Sequence, residues 1–170
     1  MPGGSRPRPL AGVSRVDSDV RIGRDGRSLV RWGLGGVTAV ALVIDAVVHF
    51  DLASAYQSAF PGGVGGGTVF RVEAVVAILA AAYVLIRRSR PSFAVAFVVA
   101  ISAFGAVVLY RYVDVPAVGP IPAMYEPIWF FEKSLSAVAE GIGALTAAIG
   151  FAVSSQPATA GFRIGGRGDE

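Results

Sequence analysis

Asp45 and His49 stand four residues apart inside an otherwise apolar stretch, RWGLGGVTAVALVIDAVVHF. On a helix that spacing puts a carboxylate and an imidazole on one face, one turn apart. Such a pair contains a base and the group that orients it. An imidazole takes up and releases protons near neutral pH, and a neighbouring carboxylate fixes which ring nitrogen does so. Glu73 and Glu140 also interrupt apolar runs. An ionisable group inside a membrane costs about 2.5–3.5 kcal/mol on insertion scales, which makes it a functional candidate. Asp45, His49, Glu73 and Glu140 are therefore the candidate polar cluster for binding or proton handling, with no catalytic role assigned to any of them. Arg71, Arg111, Glu132 and Lys133 fall nearer the ends of the apolar runs. They are expected to be interfacial support, the arginines meeting lipid phosphate and the other two reaching the headgroup layer.

Several chemistries are excluded. The chain has no Cys, which removes disulfides, thiolate metal centres and thiol nucleophiles. Its one His rules out a bis-His haem within a monomer and any His-Glu-x-x-His zinc helix. One imidazole among carboxylates suits at most a hard or borderline divalent ion, and two Met give no thioether copper path, so no metal is assigned and the cofactor stays unknown. Pro61–Thr68 is rich in Gly but lacks the Gly-Lys-Ser/Thr ending of a phosphate loop. It reads as a flexible connector capped by Thr68. Arg167-Gly168-Asp169 spells an adhesion tripeptide and is treated as chance.

The elements that must carry these residues follow from composition. Of 170 residues, 54% are hydrophobic and 16% charged, against about 25% charged in ordinary soluble domains. Disordered, nucleic-acid-binding and water-soluble classes are excluded. A bilayer span needs about 20 apolar residues, and four runs qualify, at about 31–50, 69–88, 92–112 and 128–153. Short connections make them one all-α, up-down, four-helix membrane bundle over 29–153. Residues 1–28 read as a disordered basic tail and 154–170 as a second disordered tail. Pro127 is expected in the first turn of the last helix. Ala53-Ser54-Ala55 has the form of a signal-peptide cleavage site, but the long preceding tail and the polar Asp45 and His49 argue against cleavage.

Charge gives an orientation. Both tails, Arg31 at the adjoining span end and the Arg87–Arg90 turn together hold twelve basic and five acidic residues, net +7, while the rest of the chain holds three basic and seven acidic, net −4. By the positive-inside rule both termini are expected in the cytoplasm, with the protein in a bacterial inner membrane. Asp45 then lies about 7 Å below the outer end of its span, Glu73 about 6 Å and Glu140 about 10 Å, so three helices bring carboxylates to one slab of the outer leaflet. Thr38, Asp45, His49 and Leu52 share a stripe. Glu73 shares one with Ala77, Ala80 and Ala81, and Glu140 with Lys133, Ser136, Ala137, Gly143, Ala144 and Ala147. Small residues let membrane helices approach, so the acids are expected on packing faces rather than towards lipid. Tyr56, Tyr110, Tyr112, Tyr125, Trp129 and Phe130 read as an aromatic belt.

This layout resembles the uncharacterised small four-helix membrane proteins of high-GC bacteria, and in helix number it is similar to the DoxX-like group. The resemblance covers helix number and length and implies no activity and no residue roles. Three functions are expected, in this order. The first is a non-catalytic accessory or assembly subunit of an envelope or respiratory complex. The second is an ion- or proton-coupled small transporter, and the third is an intramembrane enzyme acting on lipid or quinone, with His49 as base and Asp45 as its orienter. The partners implied are the bilayer and either a membrane protein or further copies of this chain, with no nucleic acid.

Overall fold

The computed structural model describes the backbone of residues 13–155 and the side chains of 26–155. Among the described residues there are four α-helices: α1 (Val13–Ala59), α2 (Gly66–Arg87), α3 (Arg90–Tyr112) and α4 (Phe131–Ser154). Each contains a stretch long and apolar enough to cross a membrane, in α1 the segment Gly26–Ala59. The protein is a four-helix membrane bundle. α1 packs between α2 and α4, α3 closes the square against α4, and the α2–α3 seam is the slackest of the four sides.

The helix boundaries depart from the sequence reading in physically informative ways. α1 begins at Val13, within the segment expected to be a disordered tail, and runs past the expected end at Phe50 to Ala59. No proline lies between Pro9 and Pro61. Helix growth costs little once the apolar span has nucleated it, so nothing in this stretch stops propagation. The calls of disorder for 1–12 and 156–170 lie outside the described residues. α4 starts at Phe131, four residues later than Pro127, which instead lies within the preceding connection. α2 starts at Gly66, so Thr68 is not its cap. The Thr68 amide donates to Gln57 Oε1 at 3.1 Å.

The connections at this end are ordered. Between α3 and α4, Val115 and Met124 exchange backbone hydrogen bonds at 3.2 and 3.0 Å, and Val118 and Ile121 do so at 3.1 Å in both directions. The tip of this small antiparallel flap accepts a bond from the α1–α2 connection, Val64 N–H to Pro120 O at 2.8 Å. Gly63 sits there at φ +59° with the Pro120 carbonyl where a Cβ would be, so both its conformation and its contact demand glycine. The flap therefore lies over the ends of the helices and ties the two connections together.

At the opposite end α2 turns into α3 at Arg88 and Ser89. Ser89 and Ser92 form a reciprocal capping box and Pro91 occupies the first turn of α3. Arg88 adopts the left-handed conformation, φ 41° and ψ 38°, which costs a non-glycine residue about 1–2 kcal/mol. Between the two ends the core is built of small residues. Ala39, Ala74, Ala77, Ala80, Ala81, Ala96, Ala100, Ala144 and Ala147 are buried around Leu42, Val84 and Phe93. Their Cβ atoms allow close backbone approach, which drives helix association where lipid removes the hydrophobic incentive. Phe93 is the one bulky insert, seated against Gly150, where a Cβ would strike its ring. Thr38 and Thr146 join α1 to α4 through a hydroxyl–hydroxyl contact of 2.8 Å.

Candidate functional site

Three of the four cluster residues converge as their spacing required. Asp45 on α1 is 0% exposed and Glu140 on α4 is 1% exposed, and His49 is buried. His49 Nδ1 lies 2.9 Å from Asp45 Oδ1 and 3.1 Å from the Asp45 carbonyl oxygen. One N–H is thus shared between a carboxylate and the i−4 carbonyl of the same helix. That geometry fixes both the ring orientation and the nitrogen that faces Asp45. Among the described residues Nε2 makes no hydrogen bond, and His49 lines a cavity.

Ser136 joins the two helices at this level. Its Oγ is 2.8 Å from Asp45 Oδ1 and 2.9 Å from Glu140 Oε1. A hydroxyl has one proton to donate, so both contacts are hydrogen bonds only if a proton on one carboxyl is donated back to the Ser136 oxygen. The bridge therefore holds the two acids at a fixed separation and gives a proton a short path between them. Sequence reading placed Ser136 on the right face but gave it no role. Its position four residues before Glu140 was the available signal.

The outer oxygens of both acids, Asp45 Oδ2 and Glu140 Oε2, are buried without a hydrogen-bond partner. Donor atoms of Asp45, His49 and Glu140 all lie within 4.8 Å of one another. This set could hold a divalent cation, with two carboxylate charges to balance its own and the imidazole as its nitrogen ligand.

Beside the cluster is a cavity of about 280 Å³. Its walls are mainly apolar: Val48 and Leu52 from α1, Val69 and Phe70 from α2, Ala103, Ala106 and Val107 from α3. Met124 from the flap closes its end and is buried. Eight polar residues meet it, His49, Glu73, Lys133 and Ser136 among them, with Tyr56, Ser102, Tyr110 and Glu126. The Phe70 ring packs on His49 at 4.8 Å between centroids and stacks on Tyr56 at 4.0 Å. Tyr56 is thus part of the cavity wall. Its aromatic ladder leaves His49 little freedom to rotate away from Asp45.

Glu73 is half-buried and lies on the cavity wall, and its Oε1 is buried without a partner. It belongs to the same site across the cavity from Ser136, but the three-residue contact set excludes it. Of the four residues expected at the interface, Arg71 is exposed and Glu132 half-buried. Arg111 is half-buried with its guanidinium 5.1 Å from the Tyr112 ring. Lys133 is turned inwards: it is 6% exposed, its ammonium donates to the Glu126 carbonyl oxygen, and it lines the cavity. The cause is the flap, which folds Glu126 over the start of α4 and offers a backbone acceptor inside the bundle, so the lysine need not reach headgroups. Trp129 packs 5.5 Å from the same ammonium. Compared with known protein families, curated proteins and solved structures, the chain shows no match.

Proposed function

We propose that this protein binds a neutral amphipathic molecule of the quinone class in the intramembrane cavity and exchanges a hydrogen bond, and with it a proton, through His49. The observation that carries this reading is the juxtaposition of an apolar cavity with an imidazole whose other nitrogen is held by a buried carboxylate, 2.9 Å away. A pocket of mainly apolar lining with a few convergent polar groups is the usual form of a small-molecule site. A volume of about 280 Å³ matches a substituted ring with the first part of its tail. The tail leaves along the slack α2–α3 seam towards lipid.

The chemistry of the lining favours an uncharged head. Lys133 is engaged by the Glu126 carbonyl, and the remaining groups are carboxyls, hydroxyls and one imidazole. A phosphate would meet Glu73 with no free cation to balance it. A hydroxyl or carbonyl oxygen is accommodated in both of its states. Neutral His49 accepts a proton from a ring hydroxyl at Nε2, and the protonated ring donates from Nε2 to a carbonyl. Asp45 stabilises the charged ring, and the Ser136 bridge passes a proton on to Glu140.

The orientation inferred from charge puts this site in the outer leaflet of a bacterial inner membrane with both termini in the cytoplasm. An accessory role in a respiratory or envelope complex fits the same site, since a subunit that holds a quinone needs only a cavity and a proton path. Ion transport through a single bundle fits less well, because the alanine-packed half offers no hydrated continuation. The test is infrared difference spectroscopy with decyl-benzoquinone in nanodiscs. The reading predicts a carbonyl band shifted to lower frequency in the presence of the protein, and loss of that shift in His49→Gln. An unshifted carbonyl in wild-type protein would overturn it.

A further inference from the structure

A second recess lies at the other end of the bundle, about 220 Å³ in volume and lined by Ser28, Arg31 and Trp32 of α1, Arg87 at the end of α2 and Arg88 in the turn that follows. We infer that it is a binding site for the phosphate of an anionic membrane lipid. The inference is independent of the cavity beside His49.

Four features carry it. Three arginines, Arg31, Arg87 and Arg88, line the one recess, and among the described residues no carboxylate forms an ion pair with any of them. The charge is therefore uncompensated within the described structure. Arg88 is also fixed in place. Its guanidinium carbon lies 3.2 Å from the Trp32 ring centroid, and its stem runs along Gly35, where a Cβ would sit 3.4 Å from Arg88 Cγ. A stacked guanidinium loses little further freedom when it binds.

The third feature is the backbone. Arg88 is the sole non-glycine residue at positive φ among the described residues. Glycine is the usual residue where a helix ends in this conformation, and it would be free of strain. Here a strained position carries a charged side chain, and the strain turns that side chain back over α1. Non-glycine residues held in this region gather at ligand sites.

The fourth is the setting. Trp32 is 58% exposed at a helix level where Ile86 is 73% and Leu29 70% exposed. An exposed indole beside exposed aliphatic side chains marks the boundary between hydrocarbon and headgroups. The arginines offer forked donors to a phosphate at that boundary, and the exposed faces of α1 and α2 offer a bed for the acyl chains. Arg90, on the α3 side of the same turn, stacks 4.5 Å from Phe151 and is directed to α4 instead.

Native mass spectrometry of detergent-solubilised protein with added phosphatidylglycerol or phosphatidylcholine tests this. Wild-type protein should retain phosphatidylglycerol selectively. Arg88→Gly keeps the backbone conformation and relieves its strain, so the bundle should melt no lower than before, and its affinity should fall about fivefold for the one basic group lost. Arg31→Gln combined with Arg88→Gly should lower it by about 25-fold, while Arg90→Gln should leave it unchanged. Equal retention of the two lipids would overturn the proposal. An equal loss in Arg90→Gln would do so too, by showing general charge attraction. Full displacement of the lipid by inorganic phosphate at the same concentration would reassign the recess to a free anion.

Discussion

The two halves of this bundle solve the same packing problem with opposite materials. From Leu42 towards the Arg88 turn, alanines interlock around Phe93, and the polar groups inside are hydroxyls, the Thr38–Thr146 pair and the capping Ser92. From Asp45 towards the flap, the helices are joined by an imidazole–carboxylate–hydroxyl–carboxyl chain and part around a cavity. A half built of close Cβ contacts can be rigid without specific chemistry. Of the five buried side-chain polar atoms without a partner among the described residues, the other half holds four, Asp45 Oδ2, Glu73 Oε1, Arg111 Nε and Glu140 Oε2, and the packed half only Ser154 Oγ at the end of α4. Buried polar groups that stay unsatisfied cost stability, and they persist where a ligand, ion or proton repays that cost. The contrast assigns stability to one half and recognition to the other.

The largest expected effect falls on the packed half. Phe93 is fully buried and supplies most of the bulk between α3 and α4. Phe93→Ala should lower stability by about 3–5 kcal/mol through the void it leaves, read as a large fall in melting temperature in detergent. Quinone affinity measured below the melt should stay the same. Loss of affinity in the folded variant would mean that the halves are coupled, and would break the division.

A smaller effect is expected from Ser136→Ala. It removes the bridge, and Glu140 Oε1 loses its one described hydrogen bond. The cost should be about 1–3 kcal/mol. The distinguishing readout is proton exchange: the infrared signal of Glu140 should no longer respond when quinone binds, although the quinone carbonyl still shifts against His49. If Glu140 responds as in wild-type protein, the proton reaches it without the hydroxyl and the bridge is structural only.

Much of this arrangement was legible in the sequence because the relevant period is short. The stripes Thr38–Asp45–His49 and Ser136–Glu140–Ala144 needed only helical geometry, and small neighbours indicated which faces would meet. Helix number followed from run length alone. The cavity was not legible, since it depends on how far α2 and α3 diverge, which is a property of four helices at once. The burial of Lys133 was not legible for a related reason: its acceptor is a backbone carbonyl brought over α4 by the flap, and a fold of the 113–130 connection with so few regular pairings leaves little pattern in sequence. The length of α1 was missed because charged residues past a span end resemble a tail, while an unbroken helix needs only the absence of a breaker.

The most direct test of the central claim is to fill the cavity without touching its polar groups. Ala103 is 6% exposed and lies on the α3 wall. Ala103→Phe in nanodiscs, titrated with decyl-benzoquinone against empty nanodiscs, should retain a cooperative melt and bind more than tenfold more weakly than wild type, which itself saturates at one molecule per chain. Undiminished, saturable binding to Ala103→Phe would contradict the account, because the ligand would then occupy some other part of the protein.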